Sequence, residues 1–164
     1  MEPDPREPRP GEIRIDLPAP TDAAIRFIGR IRTPWRERSH CPKNSREAIA
    51  RGDQALASVE IDPRFADGLR GVEGFSHLWI LYWMDRGARD LIMQAPAHLA
   101  EPRGVFALRS PARPNPIAMA AARLIEVKAT SLLVLGVDCL DGTPLVDVKP
   151  YFASTDAIAD AVRP

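Results

Sequence analysis

The segment Arg109–Ala118, which reads RSPARPNPIA, combines side chains that recognise anions with an unusually stiff backbone. Its three prolines fix φ and bias the preceding residues toward extended geometry, so neither a helix nor a central strand can run through it. Arginine offers a planar fork for a carboxylate or a phosphate, and asparagine offers both a donor and an acceptor. The segment therefore predicts a preorganised loop that presents Arg109 and Asn115 to a ligand. A rigid turn whose arginines contact water is the alternative.

Basic residues are concentrated in two segments, although the chain has 22 basic and 22 acidic residues and a formal net charge of zero. Residues 30–51 contain seven basic and two acidic residues, and residues 103–123 contain four arginines and no acidic residue. Both segments contain prolines and follow expected strands. A basic surface built from such loops suits RNA phosphates or an anionic small molecule. An ordinary solvated face is the alternative.

Several common cofactor and metal motifs are missing from the sequence. The glycines of GLRGVEG do not have the G-x-G-x-x-G spacing of dinucleotide-binding folds, and no phosphate-binding G-x-x-x-x-G-K motif occurs. The three histidines are not at ligand spacing from other ligand types, so no metal site is expected. The two cysteines lack a C-x-x-C motif, and no apolar run is long enough to span a bilayer. A cytoplasmic location without membrane contact is therefore expected.

Short strands separated by long polar loops are expected to position these residues. The first 22 residues alternate charge with proline and predict a flexible N-terminal arm, which leaves 23–164 as one folded domain. No helix–strand alternation is present, so the predicted fold class is mainly β, a small antiparallel β-barrel with long loops, with a sandwich as the alternative. The expected strands are 25–32, 55–61, 75–84, 104–108, 131–140 and 144–152, with long loops at 36–53 and 85–103. A turn or short helix is expected at 64–74, residues 117–128 fit either helix or strand, and Ser154 or Thr155 is expected to cap a short C-terminal helix.

Four segments, in this order and approximate spacing, resemble the TsaA-like, or TrmO, tRNA methyltransferases. They are IGRIRTPW (Ile28–Trp35), VEGFSHLWILYW (Val72–Trp83), GVFALRSPARPNPIA (Gly104–Ala118) and LDGTPLVDVKPY (Leu140–Tyr151). The resemblance implies a small β-barrel that binds S-adenosylmethionine and forms a homodimer with the cofactor near the subunit interface. It also implies methylation of N6 of threonylcarbamoyladenosine at position 37, beside the anticodon of certain tRNAs.

The resemblance also implies roles for individual residues. Matching motif positions predict that the cofactor is bound by Thr33, Pro34, Trp35, Ser76, His77, Arg109, Met119, Leu140, Asp141, Gly142 and Thr143. Arg113, Asn115 and Lys43 are the candidates for contact with the tRNA. Methyl transfer to a nitrogen that carries a carbonyl substituent benefits from a base, and His77 and Asp141 are the titratable candidates.

Two departures from the family pattern affect the expected substrate. Many relatives carry a Pro-Arg-Gln segment in the first long loop, where this chain reads SHCPKNSREA, and larger relatives carry an extra C-terminal domain. Three alternatives therefore stay open: a sensor that binds S-adenosylmethionine, a barrel that binds RNA without catalysis, and a methyltransferase for another nucleotide or a small molecule.

Overall fold

A closed barrel of six strands forms the largest part of the fold. The structure is a computed structural model that describes residues 9–19 and 22–163. The barrel strands are β2 (Gly29–Arg32), β3 (Leu56–Ile61), β4 (His77–Trp83), β7 (Ile117–Val127), β8 (Ser131–Leu135) and β9 (Thr143–Pro150). Their order around the barrel is β2-β3-β8-β7-β4-β9. A second sheet has the order β1-β5-β6 and consists of β1 (Ile13–Arg14), β5 (Leu91–Gln94) and β6 (Arg103–Gly104). These observations confirm the predicted antiparallel barrel.

Helical structure is confined to short pieces in the described part of the chain. The α-helices are α1 (Ser45–Ala50) and α2 (Ala153–Asp156), and the 3-10 helices are Gly52–Ala55, Pro63–Leu69, Val72–Gly74 and Val105–Ala107. The predicted turn or short helix at 64–74 is thus helical. The cap of α2 is Phe152, not Ser154 or Thr155. That prediction is wrong because α2 begins at Ala153, two residues earlier than a cap at Ser154 would place it.

Alternate residues of the barrel strands fill its interior. Strand β4 buries Leu78, Ile80 and Tyr82, while the residues between them stay half-buried. The sequence of β4 is apolar on both faces, so the prediction of a fully buried strand is wrong for one face. In β8 the same alternation buries Leu132 and Val134. The interior is therefore an aliphatic core that holds the strand ends, and with them the loops, in place.

The ambiguous segment at 117–128 is a strand. Ala120 and Ala122 are buried and Arg123 is exposed, which matches the period-two pattern rather than the helix propensity of alanine. Pairing with β8 provides the context that decides between the two states.

Close approach between β2 and β3 requires glycine at position 29. Gly29 pairs with Ile61, and a Cβ built on Gly29 would lie against the carbonyl group of Glu60, 2.9 Å from its carbon. Any larger residue would force the two strands apart at this point.

Two sequence expectations near residue 100 are wrong. Residues 104–108 are not a strand, because β6 ends at Gly104 and a 3-10 helix follows. The expected loop at 85–103 contains β5, whose residues pair with β1 and β6. The strand β5 was not predicted because it has only four residues and its neighbours in sequence are polar residues and prolines.

The chain divides into two compact units, which are described separately. One contains the described residues of Met1–Ile25 with Met84–Ala118, and the other contains Arg26–Trp83 with Met119–Pro164 up to residue 163. Residues 1–8, 20 and 21 of the predicted arm lie outside the described residues. Within the rest, Ile13 and Arg14 pair with β5, and Arg14 forms an ion pair of 2.9 Å with Asp90. The boundaries of arm and domain stay a prediction.

Candidate functional site

The segment after β2 and the turn before β9 lie side by side. The N–H of Asp141 donates to the carbonyl of Trp35 at 2.7 Å, and the N–H of Gly142 donates to that of Ile31 at 2.9 Å. In return, Thr33 donates its N–H to Oδ1 of Asp141 at 3.2 Å. The structure thus brings together two of the four motif segments, and we call this group of contacts the Thr33–Asp141 cluster.

The turn at 140–143 has its shape for local reasons. Gly142 has φ of 80°, a left-handed conformation that favours glycine, and Thr143 donates its hydroxyl to the carbonyl of Leu140 at 2.7 Å. A Cβ added to Gly142 would meet nothing nearer than a guanidinium nitrogen of Arg32 at 3.9 Å. The hydrogen bond within the turn therefore fixes its shape, and the side of Gly142 where a Cβ would lie is open.

Charged groups surround the turn. Arg30 donates to the carbonyl of Gly142 at 2.9 Å, and Arg32 lies 4.0 Å from Oδ2 of Asp141. Both oxygens of the Asp141 carboxylate therefore have a partner within the protein. The carboxylate therefore organises the turn and its surroundings.

Trp35 is held by the first long loop. The guanidinium carbon of Arg51 lies 4.9 Å from the centre of the Trp35 ring, in cation–π geometry. Arg51 also donates to the carbonyl of His40 at 2.7 Å and pairs with Glu47 of α1. The indole Nε1 of Trp35 is buried without a hydrogen-bond partner among the described residues. Sequence reasoning missed Arg51, and its place in a basic run gave no sign that it stacks on this indole.

A buried polar group lies next to the cluster. Tyr82 donates its hydroxyl to Oδ1 of Asp138 at 2.5 Å, and the thiol of Cys41 donates to the carbonyl of Asp138 at 3.3 Å. Burial raises the pKa of Tyr82 above its ordinary value and the pKa of the Cys139 thiol to about 12, so both are protonated at neutral pH. Sequence reasoning also missed Asp138 and Tyr82. A lone aspartate within the apolar run SLLVLGVDCL is the signal that could have found them.

Ser76 and His77 lie away from this cluster. They precede and begin β4, where Leu78 pairs with Pro150 at the end of β9, whereas Thr143 begins β9. Seven residues of strand at about 3.3 Å each separate those ends by roughly 23 Å. The structure therefore does not place Ser76 and His77 beside the Thr33–Asp141 cluster within one chain.

His77 has a defined surrounding of its own. Its Nδ1 lies 3.0 Å from the Ser76 hydroxyl, and its ring meets that of Tyr151 at 6.4 Å. Tyr151 in turn packs against Trp79, whose indole donates to Asp156 at 2.9 Å. His77 is exposed at the edge of this aromatic group.

The remaining predicted residues lie on exposed or loop positions. Pro34 and Lys43 are exposed, and Lys43 directly precedes Asn44, the cap of α1. Met119 is exposed on β7. In the other unit Arg109 and Asn115 are exposed, whereas the Nη2 of Arg113 donates to two backbone carbonyls of its own loop.

The residues of the Thr33–Asp141 cluster fit a nucleoside-containing cofactor. The outer face of Gly142 gives room for close approach, and the Trp35 indole is an unpaired donor. A cavity of about 390 Å³ on the barrel is lined by Phe27, Gly29, Arg30, Glu60, Ile61, Asp62 and Pro63, none of them predicted for the cofactor. In the described part of the chain, every helix is too short or too polar to span a bilayer.

Comparison with known proteins gives consistent matches. The model of the family "tRNA-methyltransferase O N-terminal domain" matches residues 30–157. A probable S-adenosyl-L-methionine-binding protein, VirR of Rhizobium radiobacter, is 43% identical, with 87% of this chain and 78% of that protein covered. The tRNA (adenine(37)-N6)-methyltransferase of Escherichia coli is 37% identical, with 82% and 60% covered.

Solved structures agree with these matches. The crystal structure of TrmO from Pseudomonas aeruginosa is 35% identical, with a TM-score of 0.69, and the match covers 87% of this chain. This chain spans 62% of the length of that solved chain. The observed barrel is therefore the architecture of that structure over the shared part.

Proposed function

The chain belongs to the tRNA-methyltransferase O N-terminal domain family, and from that premise we propose that it is an S-adenosylmethionine-dependent methyltransferase that methylates N6 of the adenosine at position 37 of tRNA. The observation that carries this proposal is the Thr33–Asp141 cluster, because two motif segments 108 residues apart converge on one open glycine turn. We further propose threonylcarbamoyladenosine as the modified nucleoside, and a cytoplasmic location, where tRNA is found.

The chain's residues would divide the work as follows. S-adenosylmethionine supplies an activated methyl group when bound. Trp35, Asp141 and Gly142 would hold its nucleoside part, and Arg109 stays a candidate for a charged contact with the cofactor, as the resemblance implies. The protein's task in an in-line displacement is alignment and exclusion of water.

His77 is the residue we propose as the base. Asp141 is engaged with Thr33 and Arg32, whereas His77 has one ring nitrogen near Ser76 and the other available. His77 would accept the proton that leaves the acceptor nitrogen as the new N–C bond forms.

We also propose a homodimer with the cofactor near its interface. Residues predicted for one cofactor lie at opposite ends of β9, roughly 23 Å apart along the strand. A second copy would bring its own Ser76 and His77 to the Thr33–Asp141 cluster of the first. This arrangement supports the proposed dimer, which also matches the resemblance described above.

The decisive experiment measures turnover and product together. The protein is incubated with S-adenosylmethionine and tRNA from a strain that lacks the corresponding gene, and S-adenosylhomocysteine and tRNA nucleosides are quantified by mass spectrometry. We expect a mass gain of one methyl group on threonylcarbamoyladenosine. A methyl group found on unmodified adenosine would support the methyltransferase activity but reject threonylcarbamoyladenosine as the substrate.

A second candidate is a binding protein without catalysis. Relatives from Rhizobium radiobacter and Archaeoglobus fulgidus are named S-adenosyl-L-methionine-binding proteins. Cofactor binding by calorimetry with no S-adenosylhomocysteine from any tRNA fraction would favour this candidate. The variant Arg109→Ala should weaken cofactor binding roughly 10- to 100-fold, as expected for a lost charged hydrogen bond. Arg46→Ala is the matched surface control and should leave cofactor binding unchanged.

A further inference from the structure

Phe106 is an aromatic side chain held almost completely in solvent. It is 87% exposed, whereas its neighbour Val105 is 1% exposed. Both belong to the 3-10 helix Val105–Ala107, and Arg113 donates to the carbonyls of Val105 and Leu108 on either side of Phe106. The turn that carries Phe106 is therefore anchored by a buried valine and locked by a guanidinium.

The rest of the proline loop is fixed in the same way. Its carbonyl groups point toward donors from the preceding segment of the same unit, so little backbone freedom is left. The pairs are Gln94 with Ala112 at 3.0 Å, Arg89 with Pro114 at 2.9 Å and Met84 with Pro116 at 2.9 Å. Gly87 also requires its small size, because a Cβ there would lie 2.7 Å from the carbonyl oxygen of Pro111.

The Phe106 ring presents apolar surface to solvent, and its backbone is held in place by the hydrogen bonds described above. The fixed backbone means that little conformational entropy would be lost when a partner covers the ring. The ring lies between the exposed Arg103 and Arg109 in sequence, and residues 103–123 contain no acidic side chain. An aromatic face beside positive charge is the combination that single-stranded nucleic acid requires.

We propose that Phe106 stacks on an unpaired base of the RNA substrate while the exposed Arg103 attracts an adjacent phosphate. This inference rests on the proposed function and names a contact for its substrate. Arg113, which the sequence analysis names as a candidate for RNA contact, braces the turn that presents Phe106. Stacking is tolerant of base identity, because every base has a π-face.

The charges argue against a second copy of this chain as the occupant. In a two-fold dimer centred on Phe106, the same patch of both copies would be buried, and the arginines of residues 103–113 would be brought together. An RNA loop provides a flat apolar face and negative charge in the same ligand.

The test uses an RNA hairpin with a seven-nucleotide loop that contains 2-aminopurine, and a blunt RNA duplex without a loop. We expect Phe106→Ala to weaken hairpin binding roughly 5- to 150-fold, and Phe106→Trp to restore it. Phe106→Leu keeps apolar area without a π-face and should behave like Phe106→Ala. Duplex binding should not change, and Ile158→Ala, which alters an exposed aliphatic residue of the other unit, should leave both affinities unchanged.

Other outcomes would overturn the proposal. Equal hairpin affinity for the wild type and Phe106→Ala would do so, as would a shift of the dimer–monomer equilibrium by Phe106→Ala with RNA binding intact, since that result assigns the ring to a protein contact. The proposed function fails separately. A wild type that quenches 2-aminopurine but transfers no methyl group would keep the stacking contact and reject the enzyme.

Discussion

Thr33 and Asp141, 108 residues apart in sequence, are joined by a hydrogen bond of 3.2 Å from the Thr33 N–H to Oδ1 of Asp141. The bond links the end of β2 to the turn before β9. Because the N–H of Asp141 also donates to Trp35, the two segments are tied in both directions. A carboxylate here is first a structural connector.

Substitutions at Asp141 should distinguish a structural role of its carboxylate from a catalytic one. Asparagine retains an oxygen that can accept the Thr33 N–H, whereas alanine leaves that donor unpaired. We expect Asp141→Ala to lower the free energy of unfolding by about 1–2 kcal/mol and Asp141→Asn by less than about 0.5 kcal/mol, because the partly exposed pair with Arg32 contributes little. Urea denaturation measures both. Turnover lost in Asp141→Asn at unchanged stability and cofactor affinity would instead identify Asp141 as the base.

His77 should control the rate of methyl transfer. We expect His77→Ala to lower kcat roughly 100-fold, since a positioned base contributes at least this factor. Ser76→Ala removes only the hydroxyl near Nδ1 and should have a smaller effect. Steady-state kinetics at saturating tRNA and cofactor measure kcat for both variants. An unchanged kcat in His77→Ala would assign proton removal to another group or to water.

Gly29 should tolerate no side chain. A Cβ at this position would lie 2.9 Å from the carbonyl carbon of Glu60, so β2 and β3 must separate. We expect Gly29→Ala to lower the free energy of unfolding by about 3 kcal/mol or to prevent folding. Gly74→Ala is the matched control, because its Cβ would meet no atom within 4 Å. Equal thermal midpoints for the two variants would contradict this reading of the barrel.

Alkaline pH should destabilise the fold through groups that burial keeps protonated. Burial raises the pKa of Cys139 from 9.0 to about 12 and raises the pKa values of Tyr82 and Cys41 above their ordinary values. The unfolded chain releases these protons first, so the stabilisation is complete below about pH 9 and decreases as pH rises toward 12. Urea unfolding under reducing conditions at about pH 8 and about pH 10.5 measures the loss. Cys139→Ala should show a smaller loss, and a constant free energy of unfolding in the wild type would contradict the prediction.

Arg51 should order the first long loop. Arg51→Met removes the cation–π contact with Trp35 and the pair with Glu47. We expect the amides of α1 to exchange hydrogen about threefold faster, in line with a partly exposed cation–π contact. Hydrogen exchange read by mass spectrometry over residues 36–51 measures this change. Arg46→Met alters an exposed residue of the same helix and should leave exchange unchanged.

The barrel could be predicted from sequence because its strands carry their own patterns. In β8 and β4, short continuous apolar runs with β-branched or aromatic residues indicate strands without knowledge of their partners. The strand β5 could not be predicted, since a four-residue strand depends on the pairing supplied by β1 and β6. The 3-10 helix at Val105 was missed because its carbonyls are satisfied by Arg113, a contact that no local pattern contains.

The site was predicted in part for the same reason. Thr33 and Asp141 belong to motifs that a family resemblance identifies, and the structure brings them together. The resemblance assigns no role to Arg51, Asp138 or Tyr82. These residues matter through contacts that span 16 to 56 residues of sequence, such as the hydrogen bond between Tyr82 and Asp138. Contacts of that range are set by the closed barrel and not by local sequence.

The length of β9 has a genetic consequence if each cofactor is shared between two copies. A subunit carrying His77→Ala and another carrying Asp141→Ala would each be inactive as homodimers. In a mixed dimer, both lesions fall on one cofactor site and the other site is intact. Co-expression of the two defective alleles should therefore restore methylation that neither allele supports alone.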